Sequence, residues 1–240
     1  MRNISKLHPP TTVDPMGKAV YDFHFNEQLH PLLIFDKFGP PVPMDVAYYF
    51  RDFKKMPKLE QEALRQCSGK ILDVGAGAGS HALYLQNNHL DITALDISKY
   101  NCEVMKDRGL KSVIHQSIWD YPVKGYDTLL FMMNGLGFVG TVENLQAMLL
   151  HFHKTTDHHV QLIVDSSDVY YLFENRPQPE DYYYGEIKCQ YRYGELSSSW
   201  FKWLYIDEGY FHLVASNAGW NLDIIDRDTD RQFLARLTKR

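Results

Sequence analysis

Asp73, Gly75, Gly77 and Gly79 stand at alternate positions in KILDVGAGAGSH, where an apolar run gives way to a helical pattern. Glycines there let the chain turn tightly and let a ligand approach where a Cβ would clash. The helix that follows offers free N–H groups and the positive end of its dipole. A turn of this kind at the carboxyl end of a sheet strand is a nucleotide-type site. Ala76 and Ser80 complete it, and a plain connection would not require the conformational entropy of three glycines. A second acid, Asp96, closes the next apolar run, where its carboxylate can accept hydrogen bonds from both hydroxyls of a ribose. Read alone, Asp96 and Ser98 would be an ordinary helix start; only the partnership with the glycines raises them. The glycine phase separates two ligand classes. A dinucleotide site wants G-x-G-x-x-G, and here the third glycine comes one place early, with Ser80 where that pattern would put it. Asp73 would face a pyrophosphate with like charge, but it suits a ligand that carries an α-ammonium group.

These residues need elements to position them. PKLEQEALRQC predicts a helix stopped by Ser68-Gly69, KILDVG a strand and HALYLQNN a helix. DITALDIS then predicts a strand, KYNCEVMKDRG a helix closed by Gly109, and KSVIHQS and YDTLLFMMN strands. TVENLQAMLLHFHK follows as a helix and HVQLIVDSS as a strand. Five β units alternating with helices predict an α/β fold with a mostly parallel sheet covered on both faces. After Asp168, GEIKCQYRYGELSSSWFKWLYI reads as an antiparallel hairpin around Gly194-Glu195, and DEGYFHLVASNAGW as a helix. NLDIIDRDTDRQFLARLTK reads as a second hairpin turning at Arg227 to Asp230. Residues 1–56, rich in proline and aromatics without a sustained period, read as an irregular arm with short helices ahead of a domain at 57–240.

Composition narrows the partners. With 240 residues, 45% of them hydrophobic, the chain can bury a core without disulfides or metal, and no apolar run approaches the ~18–20 residues of a membrane span. A formal charge of −5 gives no overall attraction to phosphate backbones or anionic lipid, so neither nucleic acid nor a membrane is expected as a partner. Cys67, Cys102 and Cys189 have neither CxxC nor metal-ligand spacing. His151 and His153, two residues apart on a helix, do not share a face, and with His158 and His159 they read as a solvated helix end; no metal is expected. The opening MRNISKLHPPTTVDP lacks the uninterrupted apolar stretch of a secretory signal, which gives the expectation of a reducing cytoplasm.

At ILDVGAGAG, ITALDIS and YDTLLFMMNGLG the chain resembles the class I S-adenosylmethionine-dependent methyltransferases, and through NGLGFVGTVENL and VDSSD it is similar to small bacterial members of that family. The resemblance implies a Rossmann-like three-layer sandwich. Its mostly parallel seven-stranded sheet would end in an antiparallel hairpin at about 222–237, with an extra β-hairpin inserted at about 185–207. It implies S-adenosyl-L-methionine as cofactor and S-adenosyl-L-homocysteine as product. Asp73 would address the cationic amino-acid tail, Gly75, Gly77 and Gly79 the methionine and ribose portion, and Asp96 the ribose hydroxyls. Ile97 would pack on adenine, with Ile118 and Trp119 closing over the ring; Asn134 and Gly135 would lie under the sulfonium edge. Where the family commonly has an acid for the adenine amino group, this sequence has Ser117, whose hydroxyl can still accept a hydrogen bond.

By the same resemblance the reaction is an in-line methyl displacement, with Asp165, His81 and Tyr49 as candidate bases. Asn134-Gly135-Leu136-Gly137 lacks the proline-proline-aromatic continuation of base-amine methyltransferases, so the acceptor is expected to be an oxygen or nitrogen of a small molecule, with a protein side chain as the alternative. Tyr48, Arg51, Ser166, Trp200 and Trp203 are candidates to line its pocket, against the plain alternative that they are packing and turn residues. A nicotinamide-dependent oxidoreductase and a non-catalytic cofactor-binding protein are the alternatives. The arm, dense in Tyr21, Phe23, Phe25, Phe35, Phe38, Tyr48, Tyr49 and Phe50, must dock somewhere: as a lid over the acceptor, or in a homodimer interface.

Overall fold

The structure, a computed structural model, describes residues 13–240; residues 1–12 of the opening read for a secretory signal, with Pro9 and Pro10 of the arm, lie outside the described residues. The arm supplies α1 (Pro15–His24), β1 (Leu32–Phe35) and β2 (Val42–Met44), then short 3-10 turns at Val46–Phe50 and Phe53–Lys55. Next come α2 (Lys58–Gln66), β3 (Lys70–Val74), α3 (Ser80–Asn87), β4 (Asp91–Asp96), α4 (Lys99–Asp107), β5 (Val113–His115) and β6 (Thr128–Phe131). The chain continues with α5 (Val142–Thr155), β7 (Gln161–Ser167), β8 (Glu186–Tyr193), β9 (Leu196–Ser197) and β10 (Phe201–Leu204), and ends with α6 (Glu208–Asn217), β11 (Trp220–Arg227) and β12 (Gln232–Lys239).

Seven strands form one sheet in the order β11-β12-β7-β6-β3-β4-β5. The pairs β3–β6, β6–β7 and β4–β5 are parallel; β12 runs antiparallel to β7, and β11 to β12. This is the Rossmann-like α/β arrangement expected of the sequence. β3, β6 and β7 are near-continuous apolar runs buried along almost their whole length, as strands covered on both faces must be. β6 stops at Phe131, short of the run MMN read as its end, because Met133 and Asn134 take left-handed φ angles of +60° and +56°. A second sheet of five strands has the order β10-β8-β1-β2, with β9 on β8. Gln190–Tyr193 pair there with Phe35–Leu32 of β1. The arm is therefore not the irregular segment its composition suggests, since a distant stretch of chain gives β1 its partner.

The chain divides into two compact units. The first comprises residues 13–55, Gly75–Pro122 and Cys189–Trp200. In it α1 lies on α4, and α4 on β4 and β5. Ala19, Val20, Leu32, Val46, Ala78, Val104 and Tyr193 are its buried cluster, with Tyr21, Phe23, Tyr49 and Phe50 packed around them. Four of the arm's aromatics thus find partial burial within their own chain, at up to ~1.5–3 kcal/mol for a large side chain, while Phe25 and Tyr48 stay exposed. Asp14 caps α1 through Gly17 N–H and also accepts from the Ser98 hydroxyl that caps α4. The second unit comprises Met56–Val74, Val123–Lys188 and Phe201–Arg240. There α2 packs on β7, β11 and β12, and α5 on α6. Trp220, fully buried, donates its indole N–H to Leu149 C=O at 3.0 Å, and the His153 ring meets it edge-on.

Burial pushes the thiols of Cys67, Cys102 and Cys189 up to about 12. Among the described residues no cluster of His, Cys, Asp and Glu is placed to hold a metal ion, and no helix is long and apolar enough to cross a membrane.

Candidate functional site

Between β3 and α3 the three glycines take φ angles of +72°, +58° and +82°, a backbone that only glycine adopts without strain. Their surroundings give them different duties. A Cβ on Gly75 would meet nothing within 4 Å, one on Gly77 would touch the Tyr49 ring at 3.4 Å, and one on Gly79 would run into Met105 Cγ at 2.8 Å. Gly79 serves the fold, as the left-handed N-cap of α3 pressed against α4, whereas Gly75 faces open space. Gly75 and Ala76 donate their N–H groups to Leu95 C=O at 2.8 and 3.2 Å, which pins the turn to the end of β4.

Asp96 is buried at that strand end and held by donors: Gly77 N–H to Oδ2 at 2.9 Å, Ser98 N–H to Oδ1 at 2.7 Å and Asn101 Nδ2 to Oδ2 at 3.3 Å. Burial pushes its carboxyl up to about 6; the Ser98 and Gly77 N–H bonds and the Asn101 amide pull it down, and the nearby Asp14 charge adds to the rise. A carboxylate offers about four acceptor directions, so Oδ1 can still take a hydroxyl. Beside it the buried Asn101 carbonyl oxygen has no hydrogen-bond partner among the described residues. Two acceptors side by side, one short of a donor, suit a vicinal diol, and the glycine cradle suits the chain that carries it. Ile97, 58% exposed, adds apolar surface next to them, and the His115 ring holds its carbonyl at 2.9 Å. The Ser117 hydroxyl accepts from Trp119 N–H at 3.3 Å within its own turn, over the buried Ile118.

The arm reaches this turn through contacts the sequence did not disclose. Ser80 donates its hydroxyl to Tyr49 C=O at 2.7 Å. Arg108 donates to Ala78 C=O and to Ser80 Oγ, the latter at 3.2 Å, and its guanidinium lies 5.0 Å over the Phe50 ring. In the sequence Arg108 reads only as a basic residue at a helix end; burial lowers its pKa. Burial also pushes the Tyr49 phenol up to about 12, with Arg51 opposing and Asp96 reinforcing the shift, so at neutral pH this candidate base is a neutral donor. Tyr48 is 54% exposed under the Arg51 guanidinium, Trp200 is 48% exposed, and His81 is buried in the first turn of α3.

In the second unit Asp73 is buried on β3 opposite Leu130 of β6. Beyond β6, Asn134 donates its backbone N–H to Asp165 Oδ1 at 2.8 Å and its side-chain amide to Leu204 C=O at 3.0 Å. A 3-10 turn, Gly135–Val139, follows. A Cβ on Gly137 would land 2.0 Å from Trp203 Nε1, so the indole fills the space a side chain would need. Ser166, read as a substrate contact, gives its hydroxyl to Ile206 C=O and accepts Ile206 N–H, both at 3.0 Å; the fold uses it as a tie. Tyr183 and Tyr184 are tied to neighbouring carboxylates. Tyr183 donates to Asp207 Oδ2 at 2.5 Å and accepts Asp207 N–H, while the Tyr184 hydroxyl lies 2.8 Å from Asp168 Oδ1. Burial holds both phenols well above their ordinary range. A concavity of about 630 Å³, lined by Asp127, His159, Gln161, Asp223 and Arg236 among others, holds none of the predicted site residues.

Residues 72–159 match the methyltransferase domain family. The chain is 36% identical to an S-adenosylmethionine-dependent methyltransferase from Bacteroides fragilis solved in complex with S-adenosyl-L-homocysteine. The TM-score is 0.86, and the match covers 96% of this chain and 98% of that one. The CcbJ methyltransferase of Streptomyces caelestis (11% identity, TM-score 0.58, 78% of this chain and 94% of that chain) shares the fold. So does an S-adenosylmethionine-dependent methyltransferase of Clostridium acetobutylicum (15% identity, TM-score 0.56, 79% and 92%). No curated protein matches the sequence. The nicotinamide reading falls with the glycine phase and with these relatives. A turn open at Gly75, a buried acid that closes the next strand and holds Gly77 N–H, and near-complete alignment with a relative solved with S-adenosyl-L-homocysteine converge on S-adenosylmethionine as the cofactor, and the chain belongs to the S-adenosylmethionine-dependent methyltransferases.

Proposed function

We propose that this methyltransferase acts on an oxygen or nitrogen of a small molecule. The cofactor supplies a methyl group activated by a sulfonium leaving group, so the chain's task is mainly to align the acceptor and exclude water. Asp73 is assigned to the ammonium of the amino-acid tail, the Gly75–Gly79 turn with Ala76 and Ser80 to the backbone of the ligand, and Asp96 to the ribose hydroxyls. Ile97, Ile118 and Trp119 are assigned to the faces of the adenine, Ser117 to its edge, and Asn134 and Gly135 to the sulfonium end.

The observation that carries the small-molecule reading is the turn after β6. Asn134-Gly135-Leu136-Gly137 leads into a closed 3-10 turn with the Trp203 indole against Gly137, in place of a proline-proline-aromatic grip on a flipped base. A net charge of −5 argues the same way. Asp165, which already anchors Asn134 N–H, is the preferred proton acceptor for a nucleophile that arrives protonated. Tyr49 serves as a donor, and His81 is the reserve base. Tyr48, Arg51, Trp200 and Trp203 are assigned to the acceptor's walls. Residues 1–56 act as a lid on the domain at 57–240, a role favoured over a dimer interface because Tyr21, Phe23, Tyr49 and Phe50 are packed within the chain.

Tritium-labelled S-adenosylmethionine offered with panels of small amines and hydroxyl compounds, with protein and with nucleic acid tests this reading. Label in the small-molecule fraction is expected; label confined to protein or nucleic acid overturns it.

A further inference from the structure

We infer that Arg108, with Ser80, latches the arm's Val46–Phe50 turn onto the glycine turn, so that the cofactor enters and leaves when this short strap lifts. The inference rests on the assignment of the glycine turn to S-adenosylmethionine. Its geometry is a closed circuit. Ser80, the first residue of α3, donates to Tyr49 C=O at 2.7 Å; Arg108 donates to the same Ser80 oxygen at 3.2 Å and to Ala78 C=O inside the turn; and its guanidinium covers the ring of Phe50, the residue after Tyr49. One cation, one hydroxyl and one ring thus join the arm, the turn and the end of α4.

The strap lies over the ligand's bed. The Tyr49 ring stands at van der Waals distance from where a Cβ on Gly77 would project, 3.4 Å, so a ligand backed onto the turn must pass that ring. On both sides the arm is anchored independently of the latch. Upstream, α1 rests on α4 with Asp14 hydrogen-bonded to Ser98. Downstream, Phe53 is stacked on Tyr84 of α3, with ring centroids 4.1 Å apart and planes 8° apart. A five-residue turn between two anchors, fastened by few polar bonds, can open locally far below the cost of global unfolding. Arg108 is a positioning residue in this scheme: it acts on the cofactor through Tyr49 and the turn.

Stopped-flow binding and displacement of S-adenosyl-L-homocysteine on the full chain tests the latch. In Arg108→Met, which keeps length but removes the donors and the charge, the association and dissociation rates are both expected to rise about fivefold or more while Kd moves less than either. Arg108→Lys should return part of the way, and Phe50→Leu, which removes the ring from under the guanidinium, should shift both rates in the same direction as Arg108→Met. If Arg108→Met fails to fold, Phe50→Leu decides alone. A faster dissociation with unchanged association, or unchanged rates in both variants, overturns the latch. Failure of the wild-type chain to bind S-adenosyl-L-homocysteine at all would instead overturn the cofactor assignment on which it rests.

Discussion

The connection after β3 and the connection after β6 both carry left-handed backbone, and they are built differently. After β3 the left-handed residues are glycines, and the closing bonds run to Leu95 and Asp96 of the next strand in sequence. After β6 they are Met133 and Asn134, and the closing contacts come from Asp165, Leu204 and Trp203, far along the chain. Glycine accepts such φ values without strain, whereas a side-chain-bearing residue held there costs on the order of 1–3 kcal/mol and persists only where its surroundings over-determine it. The first connection therefore depends on residue type, and the second on long-range ties. Substitutions in the first should strike the cofactor, while substitutions among the ties of the second should strike stability.

Gly77→Val should have the largest effect. The substitution combines a φ of +58° that valine resists with a Cβ against the Tyr49 ring, so the loop itself demands glycine and some stability is lost along with the ligand. We expect S-adenosyl-L-homocysteine affinity to fall more than about a hundredfold, with ~1–3 kcal/mol of destabilisation. Near-normal binding by isothermal titration would remove the turn from the cofactor's bed. Asp96→Ala comes next, at roughly ten- to a hundredfold weaker binding for the loss of a charge-assisted contact; an unchanged Kd would leave the contrast between the two connections without its main support.

On the other side of the comparison, Ser166→Ala orphans the buried N–H and C=O of Ile206 and should cost about 1–3 kcal/mol in urea unfolding, with the S-adenosyl-L-homocysteine Kd within about twofold of wild type. A tenfold loss of cofactor affinity without loss of stability would show that the tie is instead a ligand contact.

The smallest effect is one of pH. The Asp96 carboxyl sits at about 6 in the fold, above its ordinary 3.8, because burial disfavours its charge. The folded state holds that proton more tightly, so this group's contribution to stability is full below about pH 4 and is lost as pH rises through 6. Hydroxyl donors prefer the ionised form, so cofactor affinity should run the other way and fall as pH drops through 6, by at most tenfold per unit. Asp96→Asn should flatten that profile between pH 7 and 5; a slope that survives the substitution places the titrating group elsewhere.

What could be read from the residues alone was local. The glycine phase at 75–79, the acid two places before it, the acid that ends the next strand and the alternation of apolar runs with helical periods each depend on a few adjacent residues. Side-chain volume and backbone freedom act over that range, so the alternation of strands and helices and the tight glycine turn between β3 and α3 were legible in the chain itself. Four features were decided only in three dimensions: the pairing of β1 with Gln190–Tyr193, the early stop of β6, the grip of Arg108 on Ala78, Ser80 and Phe50, and the commitment of Ser166 to Ile206. In each, a hydrogen bond or ring contact joins segments that chain spacing does not relate. A hydroxyl or guanidinium carries no mark of which partner packing will bring to it, and that choice rests with the assembled core.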